Sequence, residues 1–211
     1  AFVASFPAEL PHSPVREYLA KMKSIAPIFG GMLLGVLCMP HSHAQSPGQL
    51  DPTFGADGLS ILSPVSSSSM DNAQCAALRP TGELVFAGVS GGFSGFAMTV
   101  GQIHPDGSLD TSFGTAGITT VSSEGGSNFA YDIVVLDDGK VLIAGAVSLT
   151  AANTAMAVWR LTADGALDPS FADNGALVVD IDESEDYGEA LLIDEAGQIT
   201  LVGKSRHPVS Y

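Results

Sequence analysis

Leu50-Asp51-Pro52-Thr53-Phe54, Leu109-Asp110-Thr111-Ser112-Phe113 and Leu167-Asp168-Pro169-Ser170-Phe171 are three versions of one pentapeptide, spaced 59 and 58 residues apart. Self-similarity at a fixed period is the signature of repeat architecture. Other anchors keep the register. A glycine lies eight residues after each leucine, at Gly58, Gly117 and Gly175. A second glycine (Gly82, Gly139, Gly197) precedes an apolar run, and a third, six residues later (Gly88, Gly145, Gly203), closes it. The copies are residues 50–108, 109–166 and 167–211, the last stopping before a fourth strand is complete.

Each copy reads as four strands. In the middle copy the first is Gly117 to Val121 and the second Tyr131 to Leu136, both rich in β-branched residues. Asp137-Asp138-Gly139-Lys140 makes a tight hairpin turn into the third strand, Val141 to Gly145, and Ala155 to Leu161 is the fourth. No amphipathic helix appears after residue 49. Such apolar runs want both faces covered, which a lone four-stranded sheet does not achieve, so neighbouring copies must stack. The fold class expected is all-β: a β-propeller-like array of four-stranded antiparallel blades, incomplete at about two and three-quarter repeats.

The combination Leu-Asp-x-Ser/Thr-Phe-Gly-x-x-Gly, the stretch Leu136 to Gly145, and x-Asp-Gly-x-Leu-Asp resembles the bacterial delta-60 repeat, regarded as propeller-forming. The resemblance covers residues 50–211 and implies a propeller and a bacterial origin. Departures are Arg79-Pro80-Thr81-Gly82-Glu83 and Glu195-Ala196-Gly197-Gln198 at the turn, and Ala172 where the other copies have Gly55 and Gly114. A propeller closes with about four blades or more, so the partners expected first are further blades of the same protein or a second copy.

Ahead of the repeats, Met22-Lys23 opens an apolar stretch, Ile25 to Met39, that is short for a membrane span. Ser42-His43-Ala44 supplies small residues at the positions a signal peptidase reads, so residues 22–44 are expected to be a signal-peptide helix cut between Ala44 and Gln45. Leu37 before Cys38 disfavours lipidation. Residues 1–21 read as a mis-called start or disordered stretch, and residues 45–49 as a linker. The expected location is secreted, periplasmic or at the cell surface, with Cys75 a buried thiol.

The 211 residues carry eight Lys+Arg against 23 Asp+Glu, a formal charge of -15, which opposes nucleic-acid binding. The recurring Asp51, Asp110 and Asp168 are expected to cap local turns, not to hold metal. The run Asp180 to Asp186 lacks the glycine and ligand pattern of a calcium loop and reads as solvated; no cofactor is implied, and Ca²⁺ is the one ion the run leaves open. His104 and His207 sit in no nucleophile motif, Arg79, Arg160 and Arg206 are isolated, and Trp159 reads as core.

The connections Ser63–Asn72, Ser122–Ala130 and Asp182–Gly188, with Val89–Gly95 and Ala146–Thr154, vary between copies. Strand alternation sends them all to one end of the blades. The function expected is a non-catalytic binding or structural scaffold whose variable face takes a polar ligand, a surface glycan or a protein. The rival is a piece of a secreted propeller enzyme, a glycan lyase or hydrolase, with its catalytic blades elsewhere.

Overall fold

The computed structural model describes residues 2–4, 48–62, 70–92, 95–123, 126–181 and 183–206. The proposed leader, residues 22–44, and its cleavage point lie outside them. Twelve strands and no helix occur among the described residues. They are β1 (Phe2–Ala4), β2 (Leu59–Ile61), β3 (Met70–Leu78), β4 (Leu84–Gly92), β5 (Gly95–Ile103), β6 (Ile118–Val121), β7 (Asn128–Val135), β8 (Val141–Ser148), β9 (Thr154–Leu161), β10 (Ala176–Val179), β11 (Glu185–Ile193) and β12 (Ile199–Arg206).

The four strands of a copy do not form one sheet, which corrects the expected assembly. The sheet order is β3-β4-β5-β6, and β10 pairs with β9 to complete β7-β8-β9-β10. The first strands of the second and third copies therefore close the sheets of the copies before them. The reason is in the connections: residues 104–117 fold back as turns that keep β6 antiparallel to β5, whereas residues 122–127 carry the chain to the next sheet. β2 has the same outer position, and β1 pairs with it antiparallel. β11 and β12 form a hairpin joined to β9 through a single parallel pair, Glu185 with Thr154.

The second sheet is covered on both faces, as its apolar runs require, while the outer edges of the array leave Leu78, Leu192 and Val202 exposed. Val85, Ala87, Met98 and Val100 of the first sheet pack on Ala130, Ile133, Val141, Ile143 and Trp159 of the second. The opposite face of the second sheet, with Leu142, Ala144 and Val158, packs on Leu191 and Leu201. Phe54, Phe113 and Phe171 occupy corresponding places in the three successive clusters. Each pentapeptide thus plugs the junction with the following sheet.

The recurring glycines have separate causes. A side chain at Gly88, Gly145 or Gly203 would run into the carbonyl of Asn72, Phe129 or Tyr187 on the facing strand. The ladder shifts register there in all three copies, between Ala73 and Cys75, Ala130 and Asp132, and Gly188 and Ala190. These are β-bulges, each facing a glycine that leaves room for it. At Gly117 φ is +95° and an added Cβ would sit 2.6 Å from Leu109 Cγ, so the leucine of the pentapeptide lies on the glycine. Gly58 with Leu50 and Gly175 with Leu167 repeat the contact, while Gly82, Gly139 and Gly197 sit in the hairpin turns.

Candidate functional site

The connections sort onto two ends of the sheets. The turns at 79–83, 137–140 and 194–198 and the pentapeptide loops share one end; β2–β3, β4–β5, β6–β7, β8–β9 and β10–β11 connect at the other. This second end is the variable loop face. The loops are shorter than expected: Met70–Asn72, Asn128–Ala130, Glu185–Gly188 and Val89–Gly92 belong to strands. Ladder hydrogen bonding and the bulge draw them into the sheets. Residues 63–69, 93–94, 124–125 and 182 of these loops lie outside the described residues.

Buried polar residues fix the bases of these loops. Asn128, 1% exposed, accepts from Ser123 Oγ at 2.9 Å and donates to the Val121 carbonyl at 3.0 Å. Asp186, fully buried, accepts from the Ile181 N–H at 2.6 Å and from Ser184 Oγ at 3.1 Å. Asp71 is the same repeat position in the first copy. The sequence singled out neither Asp71 nor Asn128 and read Asp186 as the end of a solvated acidic run, which its full burial corrects, although each lies eleven residues before Gly82, Gly139 or Gly197. The signal was present as a recurring Asp or Asn at a fixed offset.

Neighbouring loops also tie together. Ser127 Oγ accepts from the Phe96 N–H at 3.0 Å, and Asn153 Nδ2 donates to Asp180 Oδ2 at 3.0 Å. Half-buried rings of Phe96, Phe129, Tyr131 and Tyr187 follow one another at centroid spacings of 6.1, 6.4 and 6.4 Å. The loop face is thus a polar surface over a braced base.

On the opposite end, the pentapeptide aspartates cap their own turns. Asp51 accepts from the Thr53 N–H and hydroxyl, Asp110 from those of Ser112, and Asp168 from those of Ser170. The Ser112 hydroxyl holds Asp110 below the usual carboxylate range, and the Ser170 hydroxyl does the same for Asp168. Arg79 and Arg160 are not isolated. Arg79, 9% exposed, donates to Gln102 Oε1 at 2.6 Å and across the junction to the Gly139 and Ala163 carbonyls at 2.7 and 3.0 Å. Arg160 donates to Asp168 Oδ2 at 2.8 Å and to Ser170 Oγ at 2.9 Å.

The remaining candidates do not converge. His104 Nε2 lies 3.8 Å from Asp110 Oδ1 in a turn, Arg206 pairs with Glu185 at 3.1 Å on the surface, and Trp159 is core at 3% exposure. His207 lies outside the described residues. Among the described residues no three His, Cys, Asp or Glu side chains gather as metal ligands. Cys75 packs against the first inter-sheet core, and its burial pushes the thiol up to about 12.

Comparison with known proteins agrees with this architecture. Residues 136–171 match a family described as a domain of unknown function (DUF5122) beta-propeller. That stretch runs from the hairpin turn through β8 and β9 to Phe171, the part of the repeat where two sheets are joined. The matched stretch is similar to a β-propeller family, and the described strands, arranged in antiparallel sheets without a helix, are consistent with an incomplete propeller. No curated protein matches the chain.

Proposed function

We propose that this chain is a non-catalytic β-propeller scaffold of the delta-60 kind, exported by the Met22–Ala44 leader, whose variable loop face binds a polar ligand or partner. One observation carries the reading. Every connection that differs between copies emerges at the same end, above a base fixed by Asn128 and Asp186, while the opposite end repeats the same turns. Loops presented by a rigid scaffold are the usual seat of recognition. The net charge of -15 directs the choice towards neutral or cationic partners.

The test replaces residues 63–69 and 124–126 with Gly/Ser linkers of equal length, sparing the strands, Asn128 and the bracing hydroxyls of Ser123 and Ser127. Labelled protein is applied to glycan and peptide arrays. Signals of the parent chain should vanish in the loop variant while its thermal unfolding stays unchanged. An array pattern identical for the two proteins removes the loop face from consideration.

A further inference from the structure

The pentapeptide loop that opens a copy docks on the Asp-Gly turn that ends the same copy, at the foot of the next sheet, and the outer rim of that junction is open. Gly114 N–H donates to the Asp164 carbonyl at 2.7 Å, and Thr119 Oγ1 donates to the Gly165 carbonyl at 2.6 Å. Beside this latch is a cleft of about 530 Å³, within the range of small-molecule sites. The side chains of Ser112, Thr115, Thr119, Thr120, Asp164 and Ala166 line it. It is on the end opposite the variable loops and independent of the loop-face reading.

We propose that this cleft binds a neutral sugar residue. Thr115 and Thr120 can donate and accept, Ser112 and Thr119 accept while their own protons go to Asp110 and the Gly165 carbonyl, and the Asp164 carboxylate accepts, a mixture that meets the alternating donor and acceptor demand of vicinal sugar hydroxyls. The register of β6 adds the backbone of Thr120: Ile118 turns away from β5 and spends its N–H and C=O on Thr115, and Thr120, two residues on, turns its own N–H and C=O the same way. No lining residue is cationic, and Asp164 together with the charge of -15 opposes phosphate, sulfate or uronate ligands. One carboxylate is too few for a divalent cation, and an apolar ligand would strip the hydroxyls of water without replacing their hydrogen bonds. The walls are preformed, since an added Cβ at Gly165 would lie 2.8 Å from both Gly114 N and the Phe113 ring.

The latch itself recurs one junction earlier, where Gly55 N–H donates to the Asp106 carbonyl at 2.6 Å and Ser60 Oγ to the Gly107 carbonyl at 2.7 Å, but Ala56 and Ile61 stand where Thr115 and Thr120 line the cleft, so the sugar-binding hydroxyls belong to the second junction.

The experiment titrates the isotopically labelled full chain with maltotetraose, cellotetraose and chitotetraose, reading the amide resonances of Gly114, Thr115, Gly165 and Ala166. At least one neutral tetrasaccharide should shift them saturably, and Ala166→Trp and Thr115→Trp, which fill the cleft from two walls, should each weaken it by about tenfold or more. Amide dispersion confirms folding of each variant, and either one suffices if the other unfolds. The proposal is overturned by no saturable shift up to about 10 mM, by equal affinity for tetragalacturonate, or by binding that survives the folded tryptophan variants. Sugar binding abolished by replacing residues 124–126 instead also overturns it and returns the ligand to the loop face.

Discussion

Two alanines stand where the backbone is left-handed. Ala116 has φ +53° and Ala172 φ +43°; Asp57 and Asn174 hold the position of Ala116, and Gly55 and Gly114 that of Ala172. A Cβ in that region is disfavoured by about 1 kcal/mol, and asparagine and glycine tolerate it better. Ala116→Asn and Ala172→Gly should each raise the urea midpoint, by about 0.5–1 kcal/mol of stability, with an unchanged slope. Gly145→Ala should do the opposite and more severely, by about 3 kcal/mol or more, since the Phe129 carbonyl occupies the space. Cys75 gives a pH test. Its thiol ionises at about 12 in the folded chain against an ordinary 9.0, so its stabilisation is complete below 9.0 and is lost as pH rises towards 12. Urea denaturation should therefore show the parent losing more stability over that interval than Cys75→Ala. The conserved-looking glycines were visible in the sequence at once; the reason for Gly145 was not, because the carbonyl that forbids a side chain comes from a strand paired across a bulge.

Adjacent sheets are fastened by a few directed contacts laid over an apolar seam. Arg79 is the clearest, because one guanidinium bonds Gln102 within its own sheet and two carbonyls of the next. Arg79→Ala should cost about 2–3 kcal/mol, the order expected when buried acceptors lose their donor; Arg79→Lys should recover little, since an ammonium cannot span the fork. Equilibrium unfolding checks both. Core volume is traded between copies as well: Ile143 lies opposite Trp159 in the second sheet, whereas the corresponding pair in the first is Phe86 and Gly101, where an added Cβ would strike the Phe86 ring. The third copy has Ala172 at the position of the latch glycine and Leu177 at that of the latch hydroxyls of Ser60 and Thr119. A single-copy reading treats Arg79 as a stray departure, because its acceptors lie 60 and 84 residues further on.

The whole molecule is an acidic array whose carboxylates are tied down on one end. Asp106, Asp110, Asp164 and Asp168 all lie below the ordinary 3.8, each chiefly through a Ser or Thr hydroxyl donating to it. A depressed carboxylate contributes stability above 3.8 that is lost as pH falls through its folded value. Removing two donors, by Ser112→Ala with Ser170→Ala, should make acid unfolding begin at a higher pH, followed by circular dichroism. Relief of charge repulsion on acidification acts on parent and variant alike, so the difference isolates the capping bonds.

The period, the strand count, the turns and the stacking demand follow from the residues alone, because apolar runs punctuated by glycine at a fixed spacing leave a chain few other ways to bury itself. The capping role of Asp110 and the core place of Trp159 were legible for the same local reason. Tertiary structure alone decided which strands share a sheet. Hydrogen-bond pairing depends on where a connection turns in space, and residues 104–117 and 122–127 look equally like loops on paper. It also decided that Asn128 and Asp186 are buried beneath one face, which their local partners alone do not dictate, and that a hydroxyl-lined cleft opens near the other, where residues 112–120 meet 164–166 only once the two sheets are packed.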